Sequence, residues 1–450
     1  MSNTDFTLKN DITKSAVPLR WGAIFMPLAL VLAFLVVPVT SSAKGRESCQ
    51  KQNMHWVGTW GSSPMAPEDT FWGTPNTGFE NVTLRQIARV SIGGEQVRIR
   101  LSNSFSTSPV TIDAAHIALQ DVGESIVAGT DRVLTFSGHA SVTIPAGAVA
   151  VSDAVTLDVP ACGDLAISLF VDAPTGPATC HDTAHQTMYI STEGDHTASE
   201  TLPVAEYGFS RIWLSGIDVL APKQATAVVA FGDSITEGTG STWDMNQRWP
   251  DLFAAELNQC NSENVGHSWH RYGSIGVVNQ GISGNRLLTD LMSKNALARM
   301  DRDVLAQTGA THVFVMLGIN DLGLPVVFGM PELMATAEEL VVGLQQIAVR
   351  ADAAGLKVIV GTLAPYDGAA GYFSQEGEVV RSAVNQWIRT TDAFDAVVDY
   401  DAVLQDPDYP TQLLPEYDSG DHLHPNDLGY QAMAEAAADV FNALKSCHHR

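Results

Sequence analysis
The sequence predicts an α/β chain: an α/β/α three-layer, flavodoxin-like domain on a parallel sheet, preceded by an all-β domain of sandwich or jelly-roll type. Three observations carry this reading. Short runs alternating apolar and polar residues fill the stretch from about Trp56 to Val219. Buried apolar runs alternate with amphipathic helices after about residue 225. Glycine-rich and polar motifs stand directly after several of those runs, where open parallel sheets carry their sites.

Taken in order, residues 1–43 come first as a leader. Trp21 to Val39 is an uncharged stretch of 19 residues, with Lys14 and Arg20 before it and Ser41 and Ala43 at its exit. That layout predicts a secretory signal peptide. The rival is an uncleaved signal anchor, because the run is just long enough to span a bilayer; Pro27, Pro38 and the small-residue exit favour cleavage. Either way the protein is expected to be exported, secreted or periplasmic, and to meet a membrane only through this leader.

Residues 50–220 read as strands. Val97-Arg98-Ile99-Arg100-Leu101-Ser102 alternates with the period of a half-buried strand. Val110–Ile112, His116–Leu119, Val142–Ile144, Val155–Val159 and Leu165–Val171 follow at short intervals between Gly, Pro, Ser and Asp, the spacing of a β-sandwich. Leu220 to Thr226, with Pro222, reads as a linker. In residues 225–447, Ala227–Phe231, Ile275–Asn279, His312–Leu317, Val358–Thr362 and Val397–Tyr400 read as buried strands. Helices are expected over Pro250–Gln259, Pro331–Ala354, Glu376–Thr390 and about Asp427–Lys445. Such alternation implies a parallel sheet covered on both faces.

The chain has 450 residues, 45% hydrophobic and 17% charged, enough for a large core and two or three domains. Its formal net charge of −25 at pH 7 repels phosphate backbones, so nucleic acid is excluded as a partner. Small neutral or cationic substrates and neutral polymers remain. All five cysteines (Cys49, Cys162, Cys180, Cys260, Cys447) lie beyond the leader, where disulfides persist. Their spacing matches no metal-ligand pattern. Cys162 and Cys180, close in sequence, are read as a pair; Cys49 and Cys447 could tie the two ends; Cys260, in apparent helix, is left over.

Four blocks carry chemistry. Gly232-Asp233-Ser234-Ile235-Thr236-Glu237-Gly238 follows the first parallel strand. A serine at that turn can present its hydroxyl at the sheet edge, although an ordinary polar βα turn would look similar. Asn279-Gln280-Gly281-Ile282-Ser283-Gly284-Asn285 follows the second; glycine at 284 lets a backbone N–H approach a ligand with no Cβ in the way. After the third comes Gly318-Ile319-Asn320-Asp321, whose Asn can aim a neutral donor into the same crevice. Near the C-terminus stands Gly420-Asp421-His422-Leu423-His424-Pro425-Asn426. Asp421 can hydrogen-bond one ring nitrogen of His424 and leave the other for a nucleophile. His422 and Asp427 are read as solvated neighbours, Asp233 as a buttress of its turn, Asp321 as a partner of local backbone, and His267, His270 and His312 as structural. A cation site on Asp233, Asp321 and Asp421 is the metal-dependent rival; the expectation is no metal and no cofactor.

Together these blocks resemble the SGNH hydrolase superfamily, the GDSL esterases and lipases. Its Ser, Gly, Asn and His match Ser234, Gly284, Asn320 and His424, and the last block keeps Asp421; Ile235 stands where the namesake tetrad has leucine. Trp56-Val57-Gly58-Thr59-Trp60-Gly61-Ser62 and the strand-rich stretch after it also resemble two-domain bacterial members, often grouped with acylhydrolases of xylan-degrading systems. The resemblance implies a serine carboxylic-ester hydrolase. Ser234, Asp421 and His424 are the expected catalytic residues, and Ser234, Gly284 and Asn320 the expected oxyanion hole.

The expected substrate is a small-molecule ester or an acetylated polysaccharide such as xylan, with a broad short-chain acyl or aryl esterase as the alternative. Trp243, Trp249, Tyr366, Tyr372 and Phe373 could stack on sugar rings, and Leu322–Phe328 could line an acyl pocket or pack as core. A reading of another class, a carbohydrate-binding protein with an inert hydrolase domain, is opposed by the intact Ser234, Asn320, Asp421 and His424.

Overall fold
Five strands, Thr226–Gly232, Ile275–Gly281, Ala310–Met316, Lys357–Gly361 and Ala396–Val398, form one sheet in the spatial order second, first, third, fourth, fifth. Every neighbouring pair is parallel. The computed structural model describes residues 53–69, 76–260 and 273–447. The strands are continuously apolar because both faces are covered. On one face Trp249, Phe253, Phe314, Tyr430 and Phe441 pack together; on the other Phe231, Val313, Leu340, Ile347 and Val384 do. Helices Trp249–Asn258 and Asp427–Cys447 supply the first layer, Ala337–Ala353 and Gln375–Thr390 the second.

The strand order reverses between the first and third strands, which opens a crevice beyond their carboxyl ends. Register brings those ends level: Gly232 faces Gly281 on one side and Met316 on the other. The blocks that follow these three strands therefore emerge at one rim.

Helix starts follow local capping. Thr336 accepts the Glu339 N–H while the Glu339 carboxylate accepts the Thr336 N–H, a capping box. The helix expected from Pro331 accordingly begins at Ala337, and Pro331–Leu333 forms a separate single turn. Asn426 accepts the N–H groups of Leu428 and Gly429 and so starts the last helix.

The stretch before the parallel sheet forms antiparallel sheets. One joins Met54–Gly61, Leu214–Pro222, Gly94–Ser102, Val149–Val151 and Val155–Val159. Another runs Val204–Gly208, Met188–Glu193, Val82–Arg89, Asp164–Val171, Ala114–Leu119, Arg132–Val133. Val57, Ile99 and Val219 of the former share a core with Leu84, Ile117 and Ile167 of the latter. This region packs directly on the edge of the parallel sheet. A Cβ on Gly276 would stand 2.1 Å from the Gly58 carbonyl oxygen, so the two backbones meet only because Gly276 lacks a side chain. The Val277 N–H of the edge strand donates to Ser91 Oγ at 2.7 Å, which satisfies an edge that would otherwise stand open. The described residues form one compact unit.

Two expectations change here. Leu220 to Thr226 is not a free linker: Leu214–Pro222 and Thr226–Gly232 are both strands, and Ala225 between them is buried. Nor does Cys162 pair with Cys180. It bridges Cys260, 98 residues away, while Cys180 lies buried with its thiol toward the Ala66 carbonyl. Proximity along the chain misled, because the strand Cys180–His181 pairs with Arg211–Ile212 and turns away from Cys162. Cys49, the side chain of Cys447, His267, His270 and the whole leader lie outside the described residues; within them no helix is long and apolar enough to cross a membrane. The bridge ties the antiparallel region to the parallel-sheet region across a long loop. Cys162→Ser/Cys260→Ser is therefore expected to lose about 2–4 kcal/mol of stability, read as a lower urea midpoint at unchanged slope. An unchanged midpoint under oxidising conditions would deny the bridge that role.

Candidate active site
Gly232 ends the first strand, where a Cβ would overlap Thr236 Oγ1 at 2.1 Å. Asp233 then caps the short helix Ser234–Glu237 by accepting the Ile235 N–H, and Gly238 closes it at φ 115°. This sharp turn leaves Ser234 Oγ facing the C-terminal loop. His424 Nε2 lies 2.8 Å from Ser234 Oγ. His424 Nδ1 lies 2.6 Å from Asp421 Oδ2, and Asp421 Oδ1 accepts the N–H groups of Leu423 and His424. Burial pushes the Asp421 carboxyl up, but the His424 ring and those two amides outweigh it and hold it well below the usual carboxylate range. The neighbouring His422 is exposed and pairs with Asp418. Asp427 is more than a solvated neighbour: it accepts the N–H and hydroxyl of Thr242 and fastens the loop after Ser234 to the last helix.

The second block folds back onto the first. Ser283 donates its N–H at 3.1 Å to Glu237 Oε1 and its hydroxyl to Glu237 Oε2, and Ile282 donates to the Gly232 carbonyl. Gly284 sits at φ +69°, and a Cβ there would reach Met292 Sδ at 2.4 Å; only glycine suits both the angle and the space. Among the described residues, neither the Ser234 nor the Gly284 amide has a hydrogen-bond acceptor.

Asn320 joins the same rim through its neighbours. Its Nδ2 donates to the Asn285 carbonyl at 3.1 Å, and its Oδ1 accepts from the Tyr372 hydroxyl at 2.9 Å. The tyrosine fixes which way the amide points and leaves one Nδ2 hydrogen for the crevice. Asp321 reaches across to the N–H groups of Leu287 and Leu288 at 2.7 and 3.1 Å, so it braces the second block rather than its own turn.

Two further supports have no signal of their own in the sequence. Glu237, buried, meets His181 Nε2 at 3.1 Å and His185 Nε2 at 3.6 Å. Burial pushes its carboxyl up, and the two imidazoles outweigh that and hold it well below the usual range. Arg299 donates to the carbonyls of Gly232 and Gln280 and to Asn285 Oδ1, with Asp303 as its counter-charge. The ring-stacking expectation changes too: Trp249 and Tyr366 are buried in the core, and Tyr372 anchors Asn320. Trp243 is half-buried against His185 and Phe209. Within Leu322–Phe328, Leu322 and Leu324 are core, whereas Phe328 is 48% exposed.

Asp233, Asp321 and Asp421 each serve a different partner, and among the described residues no group of three or more His, Cys, Asp or Glu could hold a metal ion. Burial pushes Asp233 up to about 7, against the pull of the Ile235 N–H, and Asp321 up to about 6. A carboxyl with a raised folded pKa keeps a proton that the unfolded chain has already released, so stability falls as pH climbs from about 4 through the folded pKa. Asp233→Asn keeps an acceptor for Ile235 and carries no charge. Its thermal midpoint is expected to match wild type near pH 4 and to exceed it increasingly up to about pH 7. Parallel curves across that window would mean that Asp233 ionises without cost.

In arrangement, this is a hydroxyl beside an imidazole backed by a carboxylate, with amide donors on the facing loops: the parts of nucleophilic acyl transfer. A family model described as GDSL-like lipase/acylhydrolase matches residues 228–437. No curated protein matches the chain. Among solved structures, a GDSL-like lipase from Bacteroides thetaiotaomicron VPI-5482 is similar at 19% identity over 49% of this chain and 89% of its own, with TM-score 0.36. The M. smegmatis aryl esterase is similar at 16% over 49% and 100%, with TM-score 0.38. A carbohydrate acetylesterase family member from Sinorhizobium meliloti is similar at 17% over 49% and 98%, with TM-score 0.36.

Proposed function
We propose that this chain, whose residues 228–437 belong to the GDSL-like lipase/acylhydrolase family and which is a carboxylic-ester hydrolase, works through an acyl-enzyme on Ser234 and removes acetyl groups from plant polysaccharide or acetylated sugars outside the cell. The single observation that carries the mechanism is the 2.8 Å contact of His424 Nε2 with Ser234 Oγ, with Asp421 behind the ring. His424 takes the Ser234 proton as Oγ attacks the ester carbon, and Asp421 steadies the imidazolium. The carbonyl oxygen, now an oxyanion, accepts from the amides of Ser234 and Gly284 and from Asn320 Nδ2. Collapse expels the alcohol, which takes the proton from His424. Water then repeats the sequence on the acyl-serine and frees the acid.

A short acyl group suits the rim beside these donors. Met292, Ile319, Leu324 and Tyr372 are buried against one another there, and Tyr372 lies so close to Gly323 that a Cβ would stand 1.9 Å from its ring. The acidic chain and its leader fit an exported enzyme acting on a neutral polymer, with the antiparallel region as a β-sandwich that packs on the catalytic half.

The test is a panel of acetylated xylan, acetylated monosaccharides and p-nitrophenyl esters of rising acyl length, with Ser234→Ala as the blank. Acetate release from xylan and a steep loss of kcat/KM beyond acetyl are expected. A preference for longer acyl chains, with xylan untouched, would replace this reading with a broad acyl or aryl esterase.

A further inference from the structure
Three residues that each carry a buried, unpartnered donor border one cavity on the antiparallel side of the molecule. Arg211 is 3% exposed, and among the described residues its Nη1 has no hydrogen-bond partner. Trp213 Nε1 and Ser62 Oγ, also buried, have none among the described residues either. All three residues border the same space, together with Ser63, Thr179 and His181, and among the described residues no carboxylate borders it. Among the described residues Arg211 has no ion pair; Glu237, which borders a neighbouring space with it, is held by His181 and His185, and Asp244 and Asp251 are engaged by Thr187 and Arg248.

A buried guanidinium without a counter-charge is among the most costly arrangements a fold can hold. An indole N–H only donates and a guanidinium only donates, so whatever completes this cavity must accept. A water could satisfy one donor, but it brings hydrogens of its own and leaves the charge unbalanced. We propose that the cavity bordered by Ser62, Arg211 and Trp213 binds a small monovalent inorganic anion of the chloride type. One positive charge matches one negative charge; a sulfate or phosphate dianion would carry an excess negative charge into the same buried space.

The site would brace the segments that reach the catalytic rim. Ser63, next to Ser62, donates to Gln280 Oε1 at 2.6 Å at the end of the second parallel strand. His181, which pairs with Arg211 in the short antiparallel ladder, holds Glu237. Its detection does not depend on the proposed acyl-enzyme, because stability reports it directly.

Thermal unfolding of the full chain would be followed in sodium chloride and in sodium gluconate, an anion too large for the cavity, at equal ionic strength. Specific binding raises the midpoint saturably with anion concentration, so a rise of a few degrees is expected in chloride but not in gluconate. Arg211→Met should abolish the difference. If that variant does not fold, Trp213→Phe and Ser62→Ala should each move the half-saturating chloride concentration several-fold upward. Superimposed chloride and gluconate curves for wild type would overturn the proposal, as would a chloride response undiminished in every variant that folds.

Discussion
Ser234→Ala is expected to lower kcat on p-nitrophenyl acetate by on the order of 10⁴- to 10⁶-fold while leaving the unfolding midpoint unchanged. The rate falls because the acyl-enzyme has no oxygen to form on; what remains comes from the amide donors and binding alone. Stability should hold because, among the described residues, the only hydrogen bond of Ser234 Oγ is to His424 Nε2. The pair acts as a unit, so adding His424→Ala to Ser234→Ala should cost little more. A burst of p-nitrophenol persisting in Ser234→Ala, or two losses that multiply in the double variant, would remove these residues from the chemistry.

Asn320→Ala should lower kcat by about 10²- to 10³-fold with little change in KM, the size expected for losing one donor to an oxyanion. The effect falls on kcat because the donor matters most once charge has formed on the carbonyl oxygen. A stability cost accompanies it. The variant orphans the buried Tyr372 hydroxyl and the Asn285 carbonyl, and unsatisfied buried groups cost about 1–3 kcal/mol each. The two effects separate with Tyr372→Phe, which removes the hydroxyl yet leaves Nδ2 in place and should lower kcat far less. An unchanged kcat in Asn320→Ala would exclude it from the oxyanion hole.

What the sequence alone determines is local. The Gly232–Gly238 turn is written by glycines with no room for a Cβ and by an Asp that caps the next amides. Asn426 starts a helix, and Asp421 reaches a ring three residues on, through contacts spanning only a few positions. Apolar runs announced the five parallel strands because a doubly covered strand needs no polar face. Placement of the polar blocks after strand ends marks Ser234, Gly284, Asn320 and His424 as one group.

The remainder was decided by packing between distant segments, which leaves no period or spacing in a chain. Nothing around Cys162 announces Cys260, since that bridge exists only because an antiparallel loop lands beside the end of a helix. Glu237 sits inside the recognisable turn, yet its partners His181 and His185 arrive from the antiparallel region. Asp321 and Tyr372 likewise find Leu287, Leu288 and Asn320 only across the assembled rim. Short-range sterics and hydrogen bonding shaped the turns that hold the reactive groups; long-range burial, which rewards whatever fills and satisfies an interior, chose the side chains that hold those turns still.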